Sequence, residues 1–183
     1  MARYRPLTPA DMNPAQKRVH EQIVSGKRGN FGGPFQPLIR APEICGHAAA
    51  LGEHLRWGTS LPARLSELAI CITARFWRAQ YEWFAHAKLA LQAGVPADAI
   101  EAIRTGGTPH FDKEDEVLVF RCVSEIFKTQ RLSDDSFNAA VKAFGEQGVV
   151  EMVSLIGYYT LIGNTLNVFQ VALPEGETPP FPE

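Results

Sequence analysis

Residues 61–94 read LPARLSELAICITARFWRAQYEWFAHAKLALQAG, and this stretch decides the fold. Leu61, Leu65, Leu68, Ala69 and Ile72 recur at helical intervals and make one apolar stripe. Pro62 stands where a first-turn proline is tolerated. The spacing predicts a second helix from about Ala79 to Ala93, closed by Gly94 with Pro96 two residues on. Glu82 and His86 are four apart and share one face of that second helix. Glu67 lies on the preceding helix. Whether it meets the other two depends on a bend near Trp77 and Arg78.

Working outward, Asn13 followed by Pro14 is an N-cap and first-turn pair, and a helix is predicted from there to about Ser25. SGKRGNFGGPFQP (25–37) is a turn region with four glycines and two prolines. It resembles a phosphate-binding loop but lacks the Gly-Lys-Ser/Thr ending and a preceding strand. Packing of Phe31 and Phe35 against the core or a neighbouring subunit is the better reading. Pro42 opens a helix to about Thr59, with Ala48, Leu51, Leu55 and Gly58 on its inner face. His47 and His54 read as surface or interface residues, since no third ligand accompanies them.

On the other side, Pro96 to Arg104 is a short helix and Thr105 to Phe111 a turn. Asp112 is expected to cap the next helix, whose first turn is acidic and whose end carries Lys128 and Arg131, as the macrodipole favours. Ser133 starts another, with Gly145 as its stop. Gln147 to about Val171 is the last long helix, and the proline-rich acidic tail LPEGETPPFPE is expected to order only by docking. No stretch alternates as a strand does. The fold class is therefore all-α, a bundle of about seven or eight helices. SELAICITARFW and VEMVSLIGYYTL each place a glutamate, Glu67 or Glu151, before an apolar run, which fits two related helical hairpins. The organisation expected is an N-terminal helix and loop (1–34), a helical domain (35–171) and a tail (172–183).

At 183 residues, 45% of them apolar, the chain has the makings of one full core. A net charge of −2 gives no reason to expect nucleic acid or an anionic membrane. No apolar run approaching the roughly 20 residues of a bilayer span is evident, and MARYRPLTPADMN lacks the apolar segment of a secretory signal. Cys45, Cys71 and Cys122 are scattered in apolar helical contexts and form no metal-ligand spacing, so buried thiols in a reduced cytoplasmic protein are expected.

Chemistry gathers in residues 61–94. Glu82 would hold His86 in one tautomer or share a proton with it. Glu67, if it approaches, adds a carboxylate, and burial would keep one of the two protonated near neutrality. Arg64 and Arg75 are the candidates for binding an anionic substrate through a guanidinium fork. Trp57, Trp77, Tyr81 and Trp83 are candidate pocket walls. Glu and His four apart are also common on solvated helix faces, and Arg64 with Glu67 would make an ordinary surface pair.

The segment from Glu67 to His86 resembles the core motif of the carboxymuconolactone decarboxylase family, which includes alkylhydroperoxidase D. The resemblance runs from about Phe35 to Val171 and is strongest in SELAICITARFWRAQYEWFAHAKLALQAGV. The peroxidase branch carries a glutamate, then Cys-x-x-Cys-x-x-x-His. Here the glutamate falls on Glu67, the histidine on His86, and the cysteine positions on Ala79 and Glu82. The redox pair is absent, which argues against dithiol peroxide reduction. The resemblance implies an alkylhydroperoxidase D-like bundle and a cofactor-free decarboxylase of a small cyclic acid or lactone. Glu67, Glu82 and His86 would be its catalytic residues, with His86 the proton donor, Glu82 orienting it, and Glu67 relaying the proton or positioning His86. It also implies a homo-oligomer (dimer, trimer or hexamer) with sites near subunit contacts. Tyr158 and Tyr159 of the last helix are candidates to reach the pocket, with core packing the expected use of at least one. Three alternatives stand beside this reading. They are another cofactor-free lyase, isomerase or hydrolase on a related ring, a redox-inactive relative of the thiol peroxidases, and a non-catalytic helical oligomer. The last predicts that Glu67, Glu82 and His86 are exposed or unconnected.

Overall fold

The computed structural model describes residues 2–182, among which eight helices and no strand are found. They are α1 (Pro14–Ser25), α2 (Phe35–Leu38), α3 (Pro42–Trp57), α4 (Ala63–Phe76), α5 (Gln80–Gln92), α6 (Ala97–Thr105), α7 (Glu114–Thr129) and α8 (Asp134–Phe169). The all-α expectation holds.

α4 is the axis of the bundle. All ten residues from Leu65 to Ala74 are buried, as a helix enclosed by neighbours on every side requires. It packs chiefly on α5, α7 and α8, with α6 and α3 beside it. Its stripe continues into a core that includes Met152, Leu155 and Ile162 from α8 and Val119 and Val123 from α7. A satellite cluster of Met12, Ile23, Phe35, Ile39 and Cys45 seats α1 and α2 on α3, and Leu38 touches both clusters.

The ends of these helices follow local chemistry. Asn13 caps α1 through a reciprocal pair with Gln16. Ser133 accepts from the Ser136 amide at the start of α8. Gly145 interrupts α8 as expected: its φ of 71° leaves the helical region, and a second helical stretch follows it to Phe169. Asp112 does not cap α7. Lys113 occupies the cap position with no side-chain bond, and Glu114, Asp115 and Glu116 supply the charge that favours the helix N-terminus. Leu51, assigned to the inner face of α3, is 46% exposed, and Gly52 is buried in its place.

α8 also departs from expectation in composition. It is long and apolar enough to cross a membrane, with a mean hydropathy of 1.2 over its most apolar window. Of that window, 56% is buried inside the fold against the neighbouring helices.

The tail does dock. Phe181 is buried with its ring 5.2 Å from that of Trp83. Gln80 and the Phe181 backbone exchange two hydrogen bonds, Arg104 donates to the Pro180 carbonyl, and Arg78 donates to that of Pro182.

Arg64 is a structural residue. Its guanidinium makes a two-pronged contact with Asp115 and lies 2.6 Å from Glu116 Oε1. Glu116 is 1% exposed, and among the described residues its only other cation, Lys113, is 4.0 Å away. Removing one partner of a buried pair leaves an uncompensated charge, at a cost of about 3–5 kcal/mol. Arg64→Met is therefore expected to lower Tm by roughly 10 °C, read by circular dichroism. A drop within error of zero would show that Glu116 does not depend on Arg64.

Candidate active site

The approach of α4 to α5 is set by three residues. Trp77 ends α4, Arg78 takes a left-handed conformation (φ 50°), and Ala79 leads into α5. The Ala79 amide donates to the Ala74 carbonyl and the Arg78 amide to that of Arg75, the bond pattern of a Schellman turn. Arginine stands where glycine is usual. The turn folds α5 back along α4 and brings together two side chains 19 residues apart.

His86 Nδ1 lies 2.7 Å from Glu67 Oε2. Its other nitrogen, Nε2, is 3.3 Å from Glu82 Oε2, at ion-pair distance but without hydrogen-bond alignment. All three side chains are buried. The Tyr159 ring meets the imidazole edge-on, with centroids 4.9 Å apart, and Tyr158 packs edge-on against Tyr159. His86 is thus held by a carboxylate behind it and an aromatic wall beside it, with Nε2 directed toward Glu82. The expectation of exposed or unconnected residues, which a purely structural bundle carries, is not met.

His86 and Glu82 line a cavity of about 200 Å³. Glu67 does not, and so stands behind the imidazole. Phe35, Tyr81, Tyr158, Tyr159 and Ile162 form apolar and aromatic walls, and Arg28 and Arg56 supply the positive charge. Burial pushes the Glu82 carboxyl above the usual range, opposed by His86, Arg28 and Arg56. Burial also pushes Tyr158 up to about 12 and Tyr159 well above the ordinary phenol value. Both tyrosines are therefore neutral hydroxyl donors across the physiological range. The Tyr158 hydroxyl lies over Gly52, where any Cβ would collide with it.

Five expected site residues lie elsewhere, among them Trp77, whose indole N–H donates to Thr160 Oγ1. Arg64 is neutralised by Asp115 and Glu116. Arg75 donates to the Arg104 carbonyl, lies over the Phe181 ring and borders a separate apolar groove. Trp83 faces Phe181 on the other side of α5. Trp57 is 40% exposed and lines an outer groove of about 490 Å³ between α1 and α3. Tyr81 and Tyr159 do line the cavity. Glu151, the partner of Glu67 in the internal echo, accepts from Ser60 and Gln147 away from the cavity. Arg28 and Arg56 were missed. The signal available for them was an arginine in a glycine-rich loop and an arginine beside a tryptophan at a helix end.

The three cysteines are free and buried. Burial raises the thiol pKa at each, to about 12 for Cys45, which keeps them protonated and poorly nucleophilic. None lines the cavity.

The raised Glu82 pKa sets a pH dependence. Folded Glu82 holds its proton to higher pH than the unfolded chain does. Its contribution to stability is most favourable below the unfolded value, and is lost as pH rises through the folded one. Glu82→Gln is therefore expected to melt progressively higher than wild type as pH rises from about 4 to 8, the gap closing at the acid end. A gap that stays constant or narrows would show that pairing with His86 and the arginines outweighs desolvation.

No family model matches the chain, and no curated protein matches it at a significant level.

Proposed function

We propose that the protein is a cofactor-free lyase that removes a carboxyl group from a small cyclic acid or lactone, as the family resemblance of residues 67–86 implies. The observation that carries this reading is the buried row Glu67–His86–Glu82, which opens on a small aromatic cavity with a cationic wall. The row combines a positioned imidazole, a carboxyl with a raised pKa and neutral hydroxyl donors, the parts that general acid catalysis and enolate stabilisation need.

In this mechanism the substrate carboxylate lies against the arginines with its ring between the aromatic walls. The C–C bond to the carboxylate breaks, CO2 leaves, and the electron pair passes into the conjugated ring as a dienolate. A tyrosine O–H donates to the developing oxyanion. Protonated His86 delivers its Nε2 proton to the remote carbon, forming the C–H bond, and a proton from solvent restores the imidazolium. One proton is taken up per CO2 released. Glu67 is the positioning residue, since it holds Nδ1 and stands outside the cavity. Glu82 borders the reacting space and relays the replacement proton.

The same reading has the chain work in the cytoplasm as a homo-oligomer. Val150, Val153, Leu161 and Val168 leave apolar side chains on the outside of α8, and Ile44 and Leu51 do so on α3, which supports association.

The test is turnover of 4-carboxymuconolactone followed in the ultraviolet. His86→Ala is expected to lose at least about 100-fold in kcat, as removal of a general acid does. Glu67→Gln is expected to lower kcat with KM little changed. Full turnover by folded His86→Ala would remove His86 from the chemistry. No turnover by wild type would move the reading to a related acid or lactone.

A further inference from the structure

Most arginines whose guanidinium groups are fixed in this protein are fixed by oxygen. Arg64 meets Asp115 and Glu116, Arg104 meets Glu101, and Arg5 meets Asp11. Arg28 and Arg56 are different. Neither has a carboxylate within ion-pair distance among the described residues. Arg56 lies over the Trp57 ring with its Cζ 4.5 Å from the centroid. Arg28 lies 4.7 Å from the Phe35 centroid and 5.9 Å from that of the same Trp57. Arg28 Nη2 and Arg56 Nε are shielded from solvent and have no hydrogen-bond acceptor. Buried donors normally find partners, and charged ones most of all.

We propose that Arg28 and Arg56 form a carboxylate subsite of the His86 cavity, and that Trp57 is its positioning residue. The indole attracts both guanidinium groups to its face without occupying their N–H donors. Unlike a carboxylate, it leaves their charge uncancelled. The two cations are thus held in place and left unsatisfied, which is the preparation an incoming anion needs. Both also border the cavity that holds Glu82 and His86, so an anion bound there has its body among Phe35, Tyr81, Tyr158 and Tyr159. That lining selects a planar unsaturated or aromatic carboxylate over a bare inorganic anion. Arg28 lines the outer groove as well as the cavity, and it sits on the glycine-rich loop that joins α1 to α2. The proposal deepens the lyase reading and rests on it for the carboxylate. Its test is equilibrium binding, which needs no turnover.

The experiment is calorimetric titration of the full-length protein with benzoate, with its neutral isostere benzamide, and with inorganic phosphate. Wild type is expected to bind benzoate at least about tenfold tighter than either comparison compound, as charge-assisted guanidinium contacts imply. Arg28→Met and Arg56→Met are each expected to erase that preference. Trp57→Leu is expected to weaken benzoate about tenfold while Trp57→Phe keeps most of the affinity, since a phenyl face still attracts a guanidinium. Benzoate should also change the tryptophan emission of wild type, and this change should vanish in Trp57→Phe although benzoate still binds. Equal affinity for benzoate and benzamide, no benzoate binding at about 10 mM, or phosphate bound as tightly as benzoate would each overturn the subsite. Unchanged benzoate affinity in Trp57→Leu would overturn the positioning role. A chain that binds benzoate in this pattern yet turns over neither 4-carboxymuconolactone nor a related acid or lactone would retain the subsite and lose the lyase reading.

Discussion

The hydrogen bond between Glu67 and His86 is the contact on which the site depends. It joins the most enclosed helix of the bundle to the helix that borders the cavity, and both partners are buried. In that setting an unpartnered carboxylate or imidazole would be costly, so each fixes the other. The consequence is directional. With Nδ1 engaged by Glu67, Nε2 is the nitrogen left for Glu82 and the cavity. Tyr159 then limits rotation of the ring from the side. A single turn of backbone, closed by Arg78 in a left-handed conformation, makes the meeting possible.

Charge is handled in two ways within one core. On the α4–α7 side, Arg64 is matched by two carboxylates, and the result is a closed contact between helices with no positive charge left over. On the α3–α8 side, two guanidinium groups rest on aromatic faces and keep their field, which reaches Glu82 and Tyr158. The first arrangement supports the fold. The second gives the cavity its polarity and opposes the effect of burial on Glu82. Both use the same residue type, and the distinction lies in what surrounds it.

This difference explains what was legible in the sequence. Helix positions were, because apolar periodicity and the Asn13–Pro14 and Ser133 signals are local. The Glu82–His86 pair was, because spacing of four on a helix sets it. The meeting of Glu67 with His86 was suggested but not decided, since it rests on the conformation of one arginine in a turn. The choice of arginine was not legible. Arg64 and Arg75 lie close to the motif in sequence, but their fates depend on Asp115, Glu116 and the Arg104 carbonyl, which come from other helices. Arg28 and Arg56 arrive from the α1–α2 loop and the end of α3, and only tertiary packing brings them to His86. Trp57 and Trp83 failed as cavity walls for the same reason: aromatic character does not reveal which side of a helix a neighbour will cover.

The docked tail has a mechanical consequence. Residues 180–182 are fastened to the entrance of α5 through Arg78 and Gln80 and to α6 through Arg104, and are anchored by the Phe181 ring. Gln80 lies in the same first turn as Glu82. A load on Pro182 therefore pulls on the turn that sets the carboxylate beside His86.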